Sequence, residues 1–152
     1  STVSPTTLAR RTRTVFNDSG GALTSGTVVV WDNDDAELDQ NGYPYVTTTT
    51  TADFVWTAGV TINDSCADQS LCEIVVEGPA ITRVAQSTDA AVEDLLVGTT
   101  TVAGQAGDHT TAADACHLGR TLQLREAYTG ATTGLTYSDN IPMWIYVDVS
   151  CE

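Results

Sequence analysis

The sequence contains no lysine, and its six basic residues, all arginine, face 20 aspartates and glutamates in a chain of 152 residues. The formal net charge is −14 at neutral pH. Such a surface repels nucleic-acid phosphates and anionic lipid headgroups, so we expect neither a nucleic-acid nor a membrane partner. In about 1 M salt the Debye length falls to roughly 3 Å, which screens the repulsion between neighbouring carboxylates. The composition therefore predicts a protein suited to concentrated salt, or one that binds a partner supplying positive charge.

Long hydrophobic runs are absent too. No segment approaches the roughly 18 consecutive apolar residues of a membrane span, and polar residues 1–13 lack the apolar core of a signal peptide. We therefore expect synthesis in the cytoplasm. Hydrophobic residues still make up 41% of the chain, which argues against disorder and predicts one domain with a sizeable core.

Catalytic motifs are missing as well. The only histidines are His109 and His117, and there is neither a Gly-x-Ser-x-Gly nucleophile motif nor a Walker-type phosphate loop. Carboxylates are so abundant that any pair of them is unspecific as a sign of glycoside hydrolysis. We predict that the protein is not an enzyme and holds no cofactor.

Turn residues separate short β-branched or alternating segments, a pattern typical of strands. The predicted strands are 27–31, 45–51, 54–56, 72–77, 81–85, 122–126 and 143–149. In the last of these, one face carries Met143, Ile145, Val147 and Val149, and the other carries Trp144, Tyr146, Asp148 and Ser150. A strand that is apolar on both faces needs a second covering layer, either another sheet or another subunit.

One short helix is predicted at 88–97, capped by Thr88 and ended by Gly98. The predicted fold is mainly β: a single-domain barrel or sandwich of short strands over 14–152, preceded by an extended N-terminal arm at 1–13. This segment is either a disordered tail or an arm that becomes ordered on a neighbour. Half of the basic residues lie in it, which predicts contact with an acidic partner surface. They are Arg10, Arg11 and Arg13.

Four cysteines allow three pairings, of which we favour Cys66–Cys72 together with Cys116–Cys151. Free thiols are one alternative, and a metal site that recruits His117 is another, although the spacings match no zinc pattern. Disulfides would indicate an oxidising setting such as a cell exterior or a virion surface.

An acidic segment at 32–42 loosely matches a calcium-binding loop, with Glu37, Asp39 and Asn41 as candidate ligands. Position 12 of that loop is Thr48 rather than glutamate. We expect a solvated acidic turn without metal, and calcium is the alternative.

Aromatic residues suggest a second kind of site, a platform on which sugar rings stack. The candidates are Trp31, Trp56, Trp144 and tyrosines 43, 45, 128, 137 and 146. In β domains such residues more often anchor a core or a subunit interface. We therefore predict that Trp144 and Tyr146 contact a capsid or another subunit.

The second half of the chain carries a series of short motifs that ends in the closing strand. They are a strand running into Gly-Pro at 75–80, D-L-x-x-G at 94–98, G-x-A at 104–106, L-G-x-x-L at 118–122 and the strand 143–149. Over residues 72–150 this order resembles the capsid decoration proteins of tailed viruses. The acidic composition is similar to that of proteins from extreme halophiles, which points to a haloarchaeal host.

The resemblance implies a structural virion protein, made in the host cytoplasm, that binds the outer surface of an icosahedral capsid. It implies the major capsid protein as partner and a homotrimer as the assembly, acting as cement or as the base of a turret. The alternative is a secreted or cell-surface β-sandwich that binds glycan or protein, with calcium as a possible ligand.

Overall fold

A computed structural model describes residues 10–32, 42–51, 54–84, 96–108, 116–122 and 141–151. Within these ranges the chain forms eleven strands and no helix, which confirms the prediction of a mainly β single domain. The strands are β1 (Arg11–Asn17), β2 (Leu23–Thr24), β3 (Val28–Trp31), β4 (Tyr45–Thr47), β5 (Thr57–Thr61), β6 (Ser65–Cys66), β7 (Leu71–Val84), β8 (Leu96–Thr99), β9 (Ala106–Asp108), β10 (Cys116–Thr121) and β11 (Ile141–Cys151).

The first half of the chain closes into a small five-stranded barrel. Its strands pair in the order β1, β4, β3, β5 and β7, and β1 closes the circuit by pairing with β7 as well. The β1–β4 pairing is parallel, whereas β1 runs antiparallel to β7. Because the circuit is closed, these strands present no free edge to another chain at their paired positions.

A second circuit uses the other half of β7. The order is β7, β11, β10, β8 and β9, and β9 returns to β7 through the parallel pair Val84 and Ala106. Strand β11 pairs with β7 over eight consecutive positions, from Ile141 opposite Val84 to Asp148 opposite Glu77. Strand β7 is therefore the element shared by both halves of the sheet.

The length of β7 differs from the sequence expectation. Two strands were predicted, 72–77 and 81–85, interrupted by Gly78 and the proline after it, but the structure has one strand of 14 residues. Gly78 has a φ of 113°, a conformation that side chains disfavour. Around this bend the face of the strand inverts, because Val75 and Ala80 reach the same core despite their odd spacing. The glycine therefore bends a continuous strand instead of ending it.

Two apolar clusters fill the two halves. On β7 the neighbouring residues Ile74 and Val75 point into different clusters, so this part of the strand is buried on both faces. The barrel cluster contains Val15, Leu23, Val29, Val46, Ala58, Cys66, Cys72 and Ile74. The second cluster contains Val28, Val60, Val75, Ala80, Val97, Ala106, Leu118, Ile145 and Val147. Burial on both faces explains why the central strands read as near-continuous runs of β-branched residues.

The closing strand follows its prediction. Met143, Ile145 and Val147 are fully buried, and β11 extends beyond both predicted ends. In contrast, residues 55 and 56 form a turn instead of a strand, and β5 begins one residue later.

Two other predictions concern segments that the structure describes only in part. Of the helix predicted at 88–97, only Leu96 and Val97 lie within the described residues, and both belong to β8. Of the strand predicted at 122–126, only Leu122 lies within the described residues, and it follows β10.

Candidate interaction surfaces

The solvent side of β11 carries the first candidate surface. Tyr146 is 38% exposed and Trp144 is half-buried, on the face opposite to Met143, Ile145 and Val147. This alternation follows from the two-residue period of a strand, as the sequence predicted. The two aromatic residues therefore lie outside the core.

Neighbouring strands extend this surface. Ile81 on β7 is paired with Trp144 and is 43% exposed, and Leu122, 41% exposed, donates its N–H to the Trp144 carbonyl over 2.9 Å. We call Ile81, Leu122, Trp144 and Tyr146 the outer apolar face. Isolated exposed apolar residues are ordinary, but a group of them on two paired strands and the residue after β10 is typical of an interaction surface.

Polar groups border the outer apolar face. Arg120 is paired with Tyr146 across β10 and β11, and Asp148 follows two residues later on the same side of β11. A depression of about 230 Å³ lies here, lined by His117, Gly119, Arg120, Leu122, Tyr146 and Asp148. An apolar centre bordered by charges of both signs is the usual composition of a protein–protein contact.

A second candidate surface lies beside β3 and the turn before β5. Trp31 at the end of β3 and Trp56 in the turn line one groove of about 270 Å³. We call this the aromatic groove. Its lining residues are Val30, Trp31, Asp32, Thr47, Thr48, Thr49, Phe54 and Trp56. Trp56 is 45% exposed, and its ring meets that of Phe54 edge-on with 5.9 Å between centroids.

The structure thus divides the aromatic residues predicted to form a sugar-stacking platform. Trp31 and Trp56 share the aromatic groove, whereas Trp144 belongs to the outer apolar face. Tyr45 is buried and stacks on Phe16 with 4.6 Å between ring centroids, so it is a core residue. Tyr128 and Tyr137 lie outside the described residues.

The arginines of the predicted arm lie partly in the domain. Arg11 and Arg13 belong to β1, so the arm boundary predicted at residue 13 falls inside a strand, while Arg10 is exposed just before it. The Arg11 guanidinium lies 4.0 Å from a Glu77 carboxylate oxygen. The Arg13 guanidinium carbon lies 5.1 Å from the centroid of the Trp31 ring, in cation–π contact.

The four cysteines lie in two pairs of neighbouring positions. Cys66 and Cys72 form a disulfide, with 5.8 Å between their Cα atoms. Cys116 is also disulfide-bonded, and the backbone register of β10 and β11 places it directly opposite Cys151. The Cys66–Cys72 disulfide joins the two-stranded sheet of β2 and β6 to β7.

Most of the residues predicted as metal or catalytic candidates lie outside the described ranges. The calcium candidates Glu37, Asp39 and Asn41 lie outside them, as does His109. Among the residues that the structure describes, no three His, Cys, Asp or Glu side chains cluster as a metal site. Within the same ranges no helix is long and apolar enough to cross a bilayer.

Sequence reasoning missed Ile81, Leu122 and Phe54 as surface residues. Each lies in or beside a segment predicted as a strand, but a strand pattern alone does not say which of its faces another layer covers. That these apolar residues lie on the surface becomes apparent only once the pairing of the strands is known.

Comparison with known proteins shows a solved structure of similar fold. No family model matches the chain, and no curated protein matches it. Among solved structures, the chain is similar to the N base of the head fibre protein gp8.5 of bacteriophage phi29. The TM-score is 0.51 at 9% sequence identity, over 92% of this chain and 95% of that one. The likeness spans nearly the whole of both chains and shows that they share a fold.

Proposed function

We propose that the protein is a structural component of a tailed-virus particle, attached to the outside of the capsid as a decoration protein or fibre base. The observation that supports this most is the shared fold, which extends over 92% of the chain to the base of a phage head fibre. A fold does not by itself define function. The proposal therefore also rests on the surface of this chain.

The outer apolar face is the proposed contact between copies in a homotrimer. Arg120 and Asp148 both lie at its Tyr146 end, so charges of both signs border one side of the proposed contact. On a chain of net charge −14, most of the surface repels a second copy. Where such apolar faces approach one another around a threefold axis, burial of their apolar side chains and the bordering arginine offset that repulsion locally.

The N-terminal arginines are the proposed contact with the major capsid protein. Arg11 is 74% exposed and its Glu77 partner 48% exposed, so their ion pair contributes little to stability. Arg11 can therefore exchange this partner for a carboxylate on the capsid without loss of the fold. Arg10 is exposed beside it and adds a second positive charge.

The host of this virus is proposed to be halophilic, a haloarchaeon. Twenty acidic residues against six basic ones, with no lysine, suit a medium in which salt screens carboxylate repulsion. The same screening lets acidic subunits pack side by side on a capsid.

Light scattering after size-exclusion chromatography in 2 M KCl tests the trimer. We expect a mass three times the 16.0 kDa of the chain. The double variant Trp144→Ala, Tyr146→Ala should be monomeric. The control Leu71→Ala, which also removes an exposed apolar side chain but outside the outer apolar face, should stay trimeric. A monomeric wild-type chain at 100 µM would refute the assembly.

Cosedimentation with capsids of the source virus, stripped of this protein, tests attachment. The wild-type chain should pellet with the capsids, and the Arg10→Gln, Arg11→Gln variant should do so at least several-fold less. Leu71→Ala again serves as the control. Wild-type protein that stays in the supernatant at all salt concentrations would contradict the capsid role.

A further inference from the structure

We propose that the aromatic groove binds a neutral glycan, a function separate from attachment to the capsid. The groove shares no residue with the outer apolar face or with the proposed capsid contacts Arg10 and Arg11, so a particle-bound protein can keep the groove open to solvent. The inference rests on the rigidity, exposure, lining chemistry and charge of this site.

The aromatic platform is held by hydrogen bonds on several sides. The Phe54 N–H donates to the Thr99 hydroxyl over 2.7 Å, and the Thr57 hydroxyl donates to the Phe54 carbonyl over 2.8 Å. The Trp31 N–H donates to the Trp56 carbonyl, also over 2.8 Å. Because the turn is fixed before any ligand arrives, binding loses little conformational entropy.

Exposure of this platform needs an explanation. Trp56 is 45% exposed on a fixed turn, in a chain whose surface is otherwise rich in carboxylates. Trp31 is oriented by the Arg13 guanidinium, 5.1 Å from its ring centroid. Rigid, partly exposed aromatic rings are features of recognition sites, since they supply a large contact area with few rotatable bonds.

The rest of the lining matches the chemistry of a sugar. A pyranose offers an apolar C–H face and a rim of hydroxyls, and the groove combines tryptophan rings with three consecutive threonines. Thr47, Thr48 and Thr49 carry hydroxyls that both donate and accept hydrogen bonds. A mostly apolar lining with a few polar groups is the usual composition of a small-molecule site.

The volume and the charge of the aromatic groove restrict the class of ligand further. A volume of about 270 Å³ is just below the roughly 300–1,000 Å³ usual for small-molecule pockets and suits one sugar ring. Trp31 also lines an adjoining depression of about 420 Å³, but Arg11 and Arg13 line it too, so the proposed glycan site is confined to the aromatic groove. Asp32 in the lining and the net charge of −14 disfavour anionic sugars. The ligand class is therefore a neutral oligosaccharide.

Isothermal titration calorimetry of the full chain in 2 M KCl tests the proposal. The neutral probes are maltohexaose, mannohexaose and hexa-N-acetylchitohexaose, and the anionic probe is hexagalacturonate. We expect at least one neutral probe to bind, Trp56→Ala to bind it about tenfold more weakly, and hexagalacturonate to bind no more tightly than the neutral probe. Trp144→Phe, altered outside the groove, should bind like the wild type.

Thr48→Val is a second variant, which keeps the side-chain shape and removes one hydroxyl, and it should also weaken binding several-fold. The proposal is overturned if no neutral probe binds at 10 mM, or if Trp56→Ala and Thr48→Val both bind as the wild type does. It is also overturned if Trp56→Ala loses the oligomeric mass of the wild type, because the groove would then be a subunit contact. None of these results bears on cosedimentation with capsids, so the two functions are tested separately.

Discussion

Replacing Asn17 with alanine is predicted to destabilise the barrel strongly, although the residue is polar and lies at the end of a strand. The side chain is fully buried. Its amide donates to the carbonyls of Gly21 over 2.9 Å and Cys66 over 3.0 Å, and its oxygen accepts from the Ser19 N–H over 3.0 Å. Asn17 thereby joins the end of β1 to the loop before β2 and to β6.

The magnitude follows from these contacts. Each of the three hydrogen bonds contributes about 1 kcal/mol net, and buried groups deprived of a partner add about 1–3 kcal/mol more. Asn17→Ala should therefore lower the free energy of unfolding by about 4–6 kcal/mol, a large share of the 5–15 kcal/mol typical of a domain. Asn63 is a matched control, because its side-chain hydrogen bond from the Glu73 N–H is exposed.

Urea unfolding at 25 °C under non-reducing conditions, followed by tryptophan fluorescence, measures both variants. Asn63→Ala should lose less than about 1 kcal/mol. Equal losses in the two variants would refute the reasoning, since burial of the hydrogen bonds would then have no effect. A loss below about 1 kcal/mol in Asn17→Ala would refute it as well.

Three further predictions concern charge, backbone contact and crosslinks. The melting temperature should rise between 0.1 M and 2 M KCl because salt screens the excess carboxylates, and a flat response would remove the argument for a halophilic host. Gly119→Ala should destabilise by at least about 2 kcal/mol in urea unfolding, because a Cβ there would collide with the Tyr146 carbonyl oxygen. Gly21→Ala, where the added Cβ meets nothing within 4 Å, is its control, and equal effects would contradict the steric explanation. Replacing Cys66 and Cys72 with serine should cost about 2 kcal/mol through the lost loop constraint; an unchanged unfolding midpoint would show that the crosslink does not restrict the unfolded chain.

The strand content was predictable because its signals are local. A run such as Val28–Val30 between glycine and aspartate turns favours a strand wherever it lies in the fold. The alternation of Met143 to Val147 likewise identifies the buried face of β11, since successive side chains point to opposite sides. The Gly78 signal was local too, but it did not reveal that the chain bends there and continues.

The pairing of β1 with both β4 and β7 was not predictable in this way. Residues 11–13 read as a polar arm, because charged and threonine residues carry no apolar period. Their place in the barrel depends on Val15 and Phe16 further along the strand, which are buried and fix the register against Cys72 and Leu71. Such register is decided by contacts distant in sequence.

By itself, the sequence determined the surface charge, the β class and the two faces of the closing strand, because each depends on composition or on the two-residue period of a strand. Only the tertiary structure decided which side chains share a surface. Trp31 and Trp56 are 25 positions apart and meet because β3 pairs with β5. Ile81 and Trp144 meet because β7 pairs with β11. Strand pairing joins distant segments through backbone hydrogen bonds that any residue except proline can donate, so no local pattern records the partner.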